Sequence, residues 1–173
     1  MKIGIYGGSF NPIHFGHVGL ARWVVEHTDL DELWLMVSPN NPLKDKNTLA
    51  DEQVRLEQAR LAIANCPLSV AKRIRVSDFE FALPRPTYTA NTLRELQKQY
   101  PEHDFTLIMG EDNLQIIEKW REYQYILDNY RIFVYPRHDC SPYSLPTAKD
   151  LQVLTGAPYF DISSTYLRKN LRG

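Results

Sequence analysis

The sequence predicts a single α/β domain in which a doubly wound, mainly parallel sheet is flanked by helices. Short apolar runs of strand length alternate along the chain with segments whose apolar residues recur at helical spacing. Several runs are almost continuously apolar, as expected for parallel strands that are covered on both faces. The chain has 173 residues, which is the size of one domain, and no linker or internal repeat divides residues 1–173.

The beginning of the chain predicts a β-α-β unit. Lys2–Tyr6 is a short β-rich run that ends at two glycines. Apolar residues then recur in a helical manner over Phe15–His27, and Leu33–Val37 is a nearly continuous apolar run typical of a buried parallel strand. Trp23 and Trp34 fall within these patterns, and both are interpreted as core residues.

Two irregular segments and a further helix follow. Residues 38–47 are dense in Pro, Asn and Lys and are predicted to form a loop. Asp51 can then cap a helix. The apolar side chains that this helix carries are Val54, Leu61 and Ile63. Residues 79–86 are rich in proline and predict a second loop, at the end of the next strand.

The rest of the chain predicts three more strands. They span Arg73–Ser77, Asp104–Met109 and Arg131–Tyr135. A helix over 89–100 and one or two short helices over 113–127 separate them, and 139–147 is predicted to be a surface loop. In such a sheet, ligands bind beyond the carboxyl ends of the strands, at the point where the strand order reverses.

Composition excludes several classes of function. Lys and Arg number 20 and Asp and Glu number 21, so no overall field marks a nucleic-acid or membrane binder. The two cysteines, Cys66 and Cys140, form no Cys-x-x-Cys pair, which argues against a zinc ribbon and a disulfide scaffold. No apolar stretch has the length of a membrane span or signal peptide, so a cytoplasmic location is expected. The sequence leaves open whether the chain forms a homo-oligomer.

The strongest functional signal is GGSFNPIHFGH, which lies between the first strand and the first helix. Gly7 and Gly8 allow the backbone to turn tightly and to approach a ligand, and the N–H groups that begin the helix create an anion site. His14 and His17 are three residues apart, so both imidazoles can face this site if the helix begins near His14. Two such donors can stabilise the charge that builds up on a phosphate in a transition state.

Other interpretations of the histidine pair have less support. An isolated His-x-x-His usually has a structural or surface role. A metal site is disfavoured because the pair lacks the Glu of His-Glu-x-x-His and has no obvious third ligand. The chain also lacks both G-x-x-x-x-G-K-[ST] and G-x-G-x-x-G, which disfavours Walker-type kinases and ordinary dehydrogenases.

A second signal, DISSTYLR, lies near the end of the chain. Ser163 or Ser164 can cap a terminal helix and leave hydroxyl and N–H groups at its positive end. Arg168 lies about one turn later on a nearby face, which would complete a second phosphate clamp. Taken alone, such a segment is more often an ordinary helix cap.

Together, GGSFNPIHFGH and ISSTYLR resemble the motifs of the HxGH nucleotidyltransferase superfamily, in particular those of bacterial nicotinate-nucleotide adenylyltransferases. The resemblance spans nearly the whole chain and implies a Rossmann-like fold. Related phosphopantetheine adenylyltransferases share the C-terminal motif but usually have Thr-Asn-Gly-His in place of His14-Phe15-Gly16-His17, and cytidylyltransferases usually differ at the C-terminal motif. The histidine pair therefore favours the pyridine nucleotide branch.

Three internal segments are similar to further motifs of that branch. PNNPLK resembles a loop that ends in Pro-Pro-His-Lys, which places Lys44 at the triphosphate, with Leu43 where the family usually has His. PTYTANTL resembles Ser-Tyr-Thr-x-Asp-Thr-Leu, which lines the nicotinate pocket, with Thr87 and Asn91 as mild departures. GED, followed later by Trp120, resembles the Gly-Ala-Asp and Trp signatures.

The resemblance implies in-line attack by the phosphate of nicotinate mononucleotide on the α-phosphorus of ATP, with Mg²⁺ accompanying ATP. The implied catalytic residues are His14, His17, Lys44 and Arg168. The implied ATP-binding residues are Gly7, Gly8, Ser9, Phe10, Gly110, Asp112, Arg137, Ile162, Ser163 and Ser164. The implied nicotinate nucleotide-binding residues are Asn11, Lys44, Thr87, Tyr88, Thr89 and Trp120. The alternatives are adenylyl transfer to nicotinamide mononucleotide or another phosphorylated acceptor, and a non-catalytic nucleotide-binding module.

Outside the resemblance, some of these residues have ordinary structural explanations. Asp112 follows a buried strand and is equally suited to cap a helix. Trp120 lies in a helical pattern where a half-buried packing role is common. Glu111 replaces the usual Ala and puts a carboxylate close to the expected ribose site.

Overall fold

The computed structural model describes residues 1–40, 51–137 and 140–158. The strands within them are β1 (Lys2–Gly8), β2 (Glu32–Val37), β3 (Ile74–Ser77), β4 (Asp104–Gly110), β5 (Arg131–Tyr135) and β6 (Asp150–Val153). The α-helices are α1 (Phe15–His27), α2 (Glu52–Ala64), α3 (Leu68–Ala71), α4 (Thr89–Gln99), α5 (Glu111–Gln115) and α6 (Tyr123–Asn129). Two 3₁₀ turns cover Phe79–Ala82 and Ile117–Lys119.

The strands form one sheet in the order β3-β2-β1-β4-β5-β6, and every neighbouring pair is parallel. The chain builds outward from β1 to β3 and then returns to the other side of β1 with β4. The strand order therefore reverses between β1 and β4, where Tyr6 is in register with Ile108. Because all the strands are parallel, their carboxyl ends meet at one edge. The segments that follow β1 and β4 are where this architecture places a ligand.

The sheet separates two apolar cores. Alternate residues of β2 point to opposite faces, so Leu33 and Leu35 pack with α1 while Trp34 packs with Leu93 of α4. β2 is buried from Leu33 onward, which explains its continuous apolar run. Each large apolar side chain buried in this way contributes about 1.5–3 kcal/mol to stability.

The five predicted strands and the doubly wound arrangement are confirmed, but the sheet has a sixth strand that the sequence did not predict. β6 pairs with β5 and places Asp150 opposite Arg131. As an edge strand it alternates exposed and half-buried residues, with Leu151 and Val153 facing the protein. Two apolar residues are too few to stand out as a period-two pattern, which is why the strand was missed.

The buried face of α2 does not coincide with the apolar residues that the sequence analysis named for this helix. Asp51 does cap this helix by accepting a hydrogen bond from the backbone N–H of Gln53, and Ile63 is buried. Val54 and Leu61, however, are 48% and 65% exposed. The buried face consists instead of Arg55, Leu56, Ala59 and Ile63. An arginine occupies a core position because its guanidinium has buried acceptors, which local spacing does not reveal.

The two tryptophans differ in burial. Trp34 is a core residue as predicted, with 3% exposure. Trp23 is only partly buried, and its ring stacks on His27 with the centroids 4.7 Å apart. In the part of the chain that the structure describes, no helix combines the length and the apolarity needed to cross a membrane.

Candidate active site

A cavity of about 220 Å³ opens at the carboxyl edge of the sheet, beside the reversal point. Gly7 and Gly8 at the end of β1 form part of its wall, and Ser38 after β2 forms another part. The other polar and aromatic residues of the wall are Glu80, Thr87, Thr89, Thr92, Asn113, Trp120 and Tyr135. The fold therefore brings the predicted glycines, threonines and Trp120 together in one pocket.

The two motif histidines cap the first helix reciprocally. His14 is the N-cap of α1, and its Nδ1 accepts a hydrogen bond from the backbone N–H of Gly16 at 3.0 Å. His17 Nδ1 accepts from the backbone N–H of His14 at 3.2 Å, and the two rings stack with centroids 3.7 Å apart. A nitrogen that accepts cannot carry the proton, so each neutral ring holds its hydrogen on Nε2. Both Nε2–H groups thus remain as donors. Neither histidine lines the cavity, and their role at a phosphate stays a prediction.

Burial and nearby charge favour the neutral form of both imidazoles. Burial and the charge of Arg137 lower the pKa of His14. Burial, with His14 and Arg137 as further causes, lowers the pKa of His17 to about 3. The charge of Arg137 thus acts on both imidazoles and disfavours their protonation. The role of Arg137 in binding ATP stays a prediction.

We expect His17 to remain neutral from about pH 8 to about pH 5 in the free protein. An NMR titration of the imidazole carbons should show one Nε2–H tautomer without a titration step, while free histidine added to the sample titrates near 6.5. The His17→Asn variant assigns the signal. A step between about pH 6 and 7 would contradict the geometry.

The same depressed pKa has a consequence for stability. Unfolded His17 binds a proton at about 6.5 while the folded residue stays neutral down to about 3. The unfolded state therefore holds more protons within this window. The contribution of His17 to stability is complete above about pH 6.5 and is lost progressively as the pH falls toward 3.

The turn after β1 is made by Phe10 rather than by glycine. Gly7 and Gly8 continue the extended strand, whereas Phe10 has a φ of 48° in the left-handed region. Such a conformation costs a non-glycine residue about 1 kcal/mol or more. Its ring is buried beneath the site and meets His17 edge-on, with centroids 4.9 Å apart. Phe10 therefore supports His17 from the core, and its side chain is not available to touch ATP.

A buried arginine that the sequence did not single out holds the loops of the site. Arg55 of α2 is fully buried, and its Nη1 donates to the carbonyl oxygens of Ser9 at 2.7 Å and Ser38 at 2.8 Å. Its Nη2 donates to Asn40 Oδ1 at 2.8 Å. One guanidinium thus ties the ends of β1 and β2 to α2.

The predicted nicotinate pocket is assembled only in part from its motif. Thr87 and Thr89 line the cavity, and so does Trp120, whose ring packs against the apolar core. Tyr88 does not line it: this residue is 39% exposed, and the Arg121 guanidinium lies 4.9 Å from its ring centroid. Asn11 is buried directly after the turn.

The Gly-Glu-Asp segment lies where β4 meets α5. Gly110 is the N-cap, and a Cβ there would come within 3.0 Å of the Tyr135 ring. Asp112 is exposed in the first turn of α5 and makes no side-chain cap, so the capping interpretation is not supported. Glu111 accepts hydrogen bonds from the Arg137 backbone N–H at 2.8 Å and from Tyr143 Oη at 2.9 Å. Its carboxylate therefore fastens the segment after β5, next to the histidines.

Five predicted site residues lie outside the described residues. They are Lys44, Ile162, Ser163, Ser164 and Arg168. Their roles remain predictions. Conversely, Glu80 and Asn113 line the cavity although no motif indicated them, and Thr92 lines it from within PTYTANTL without having been assigned a role.

An all-parallel sheet whose reversal point carries a His-x-Gly-His helix start, next to an arginine and an aromatic pocket, defines an α/β nucleotidyltransferase. The family model described as cytidylyltransferase-like matches residues 5–170. The chain therefore belongs to the cytidylyltransferase-like family.

Relatives within that family indicate the branch. A protein of Flavobacterium johnsoniae named "probable nicotinate-nucleotide adenylyltransferase" is 45% identical over 99% of this chain and 87% of its own length. Proteins with the same name from Cytophaga hutchinsonii and Bacteroides fragilis are 46% and 45% identical, over 97% and 98% of this chain and 84% and 82% of theirs. The chain groups with the nicotinate-nucleotide adenylyltransferases.

The fold agrees with this placement. The nicotinic acid mononucleotide adenylyltransferase of Plasmodium falciparum, solved in complex with NaAD, superposes with a TM-score of 0.81. The superposition covers 97% of this chain and 82% of that one at 20% identity. At this identity the likeness shows a shared fold.

Proposed function

We propose that this chain transfers the adenylyl group of ATP to nicotinate mononucleotide, forming deamido-NAD and pyrophosphate in NAD biosynthesis. The observation that carries the proposal is the reciprocally capped histidine pair. Its two Nε2–H donors lie at the start of α1, shortly after Gly7 and Gly8, which line the same cavity as Trp120. The charge of Arg137 acts on both imidazoles. The names of the relatives support this substrate pair.

The chemistry needs positioning and charge stabilisation more than a general base. The phosphate monoester of the acceptor is already an anion at neutral pH, and it attacks the α-phosphorus of ATP in line with the departing pyrophosphate. Neutral imidazole donors at a helix N-terminus can stabilise the negative charge that develops on the phosphate oxygens in the transition state. His14 and His17 would supply those donors, and Arg137 would supply a positive charge. Lys44 and Arg168 would hold the rest of the triphosphate.

The acceptor would lie along the pocket. A pyridine ring can stack on Trp120, because offset aromatic stacking is favourable and tolerates a polar rim. Thr87 and Thr89, which line the cavity, would face the ring, and the exposed Asp112 would contact a ribose. This arrangement would direct the acceptor phosphate toward the start of α1.

Mg²⁺ would enter as part of the MgATP substrate and would neutralise charge on the triphosphate. Within the described residues no group of three or more His, Cys, Asp or Glu could hold a metal ion. A triphosphate-bound Mg²⁺ fits such a site, because it keeps several waters and takes few protein ligands.

The test is a chromatographic assay with ATP labelled at the α-phosphate. Purified protein and MgATP are offered nicotinate mononucleotide or nicotinamide mononucleotide in parallel. We expect the label in deamido-NAD, one pyrophosphate for each dinucleotide, and a slower reaction with the amide.

Each other outcome identifies a different activity. Faster reaction with the amide would reassign the acceptor, and release of pyrophosphate only with another phosphorylated compound would reassign the substrate class. ATP binding without pyrophosphate release from any acceptor would favour a non-catalytic nucleotide-binding module.

A further inference from the structure

Glu80 is a buried carboxyl group inside the proposed pyridine cavity. It lies on the 3₁₀ turn Phe79–Ala82, is 8% exposed, and lines the same cavity as Thr89 and Trp120. The proposed mechanism gives it no role. A carboxyl group at this position is unexpected in a site for an acidic pyridine, because two carboxylates in a small cavity repel each other.

The hydrogen bonds around Glu80 can accommodate its neutral form as well as its ionised form, to which the neighbouring hydroxyls donate. Thr92 Oγ1 lies 2.6 Å from Glu80 Oε2 and 3.2 Å from the carbonyl oxygen of Tyr88. A hydroxyl has one proton, so Thr92 can donate to only one of these two oxygens at a time. If Glu80 carries a proton on Oε2 and donates it to Thr92, the Thr92 hydroxyl is free to donate to Tyr88. Both contacts are then satisfied.

Among residues 1–40, 51–137 and 140–158, no cationic side chain pairs with this carboxyl group. Its hydrogen-bond partners are the hydroxyls of Ser38, Thr87 and Thr92. Burial raises the pKa of Glu80, and these hydroxyls offset part of the rise.

The charged side chains of the surrounding elements are engaged elsewhere. Arg85 donates to both oxygens of Glu52, at 2.6 and 2.8 Å. Arg94 pairs with Glu122, and Arg121 lies over the Tyr88 ring. Asp78, next to the turn, is exposed. Among the described residues of this turn, Glu80 is therefore the titratable group that faces the cavity. Its charge is set by the pH and by the ligand.

We propose that the protonation state of Glu80 determines the choice between acid and amide acceptors. When Glu80 is protonated and neutral, the pocket accepts the nicotinate carboxylate; when Glu80 is ionised, its negative charge disfavours nicotinate. This inference rests on the proposed function. A cavity of about 220 Å³ holds a pyridine ring and its substituent close to Glu80, so a negative charge there repels a second one strongly. An amide substituent feels no such repulsion and can donate a hydrogen bond to the ionised form.

The test measures kcat/KM for nicotinate and nicotinamide mononucleotide from about pH 5.5 to about pH 8.5. The ratio of the two values cancels every titration that both reactions share, including those of the acceptor phosphate and the histidines. We expect the ratio to fall by about 10- to 100-fold as the pH rises, as for a like charge brought close to another.

Two variants make the assignment specific. Glu80→Gln cannot ionise, so its ratio should favour the acid at every pH and stay flat. Thr92→Val keeps the volume but removes a donor that favours the ionised form, so the fall of the ratio should move to higher pH. The second variant keeps the test valid if the first does not fold.

The outcomes separate the two proposals. Dinucleotide from neither acceptor would refute the proposed function. Dinucleotide formed with a ratio that is flat in the natural protein, or that varies equally in Glu80→Gln, would overturn the role of Glu80 and leave the proposed function standing.

Discussion

Replacing His17 with alanine is expected to lower kcat for dinucleotide formation by about 10²–10³-fold, with a much smaller change in KM. The Nε2–H of His17 is a fixed donor at the helix start, and such a donor acts mainly on charge that appears in the transition state. Steady-state kinetics with saturating MgATP and varied nicotinate mononucleotide would measure both constants.

Two control variants separate catalysis from helix capping. His17→Asn retains an acceptor for the His14 backbone N–H but lacks the Nε2 donor, so it should keep the Tm and lose the activity. His27→Ala removes an exposed histidine at the opposite end of the same helix and should leave kcat unchanged. If both His17 variants kept kcat within about tenfold of the natural protein, the donor role would be wrong.

Replacing Arg55 with methionine is expected to destabilise the fold by about 3–5 kcal/mol and to lower kcat/KM by about 100-fold. Methionine fills a similar volume but donates nothing to Ser9, Ser38 and Asn40, which leaves buried acceptors without their charged donor. Release of the loops after β1 and β2 would also move the substrate-binding groups. Urea unfolding gives the stability change, and the dinucleotide assay gives the activity.

Arg60→Met is the matched control, because Arg60 lies on the same helix with its side chain 47% exposed and pairs with Glu57. Loss of the Arg60–Glu57 ion pair should lower the free energy of unfolding by less than about 1 kcal/mol and leave the activity unchanged. If both substitutions changed the unfolding free energy and kcat/KM equally, Arg55 would contribute only to the stability of the helix. Its hydrogen bonds to the two loops would then have no specific role.

The fold was largely predictable because its signals are local. Leu33–Val37 is continuously apolar since β2 is covered on both faces, and His14 and His17 are three residues apart within one turn of helix. Neither signal requires knowledge of distant residues. The alternation of strands and helices then predicts a parallel, doubly wound sheet, whereas the order of its strands is seen only in the structure.

The residues that were missed depend on distant partners. Arg55 lies 46 positions from Ser9 in the chain, and its burial is compensated only when the loops after β1 and β2 meet around it. Glu80 likewise becomes a cavity residue only when Thr92 and Ser38 are brought to it. In a sequence, a lone Arg or Glu is expected to lie on the surface, because these residue types are rarely buried. Glu111 differs from the usual Ala of the family motif, but its role is not evident from the sequence because its partner Tyr143 lies 32 positions away.

The reciprocal cap of His14 and His17 implies that the site is preorganised before any nucleotide arrives. The directions of both Nε2–H bonds are set by backbone N–H groups of the helix itself, so folding orients the donors and no reorganisation accompanies each turnover. The same contacts also link activity to local order, because fraying of the first turn of α1 would free both imidazoles to rotate. A rate measured near the melting temperature of that turn would fall before the rest of the domain unfolds.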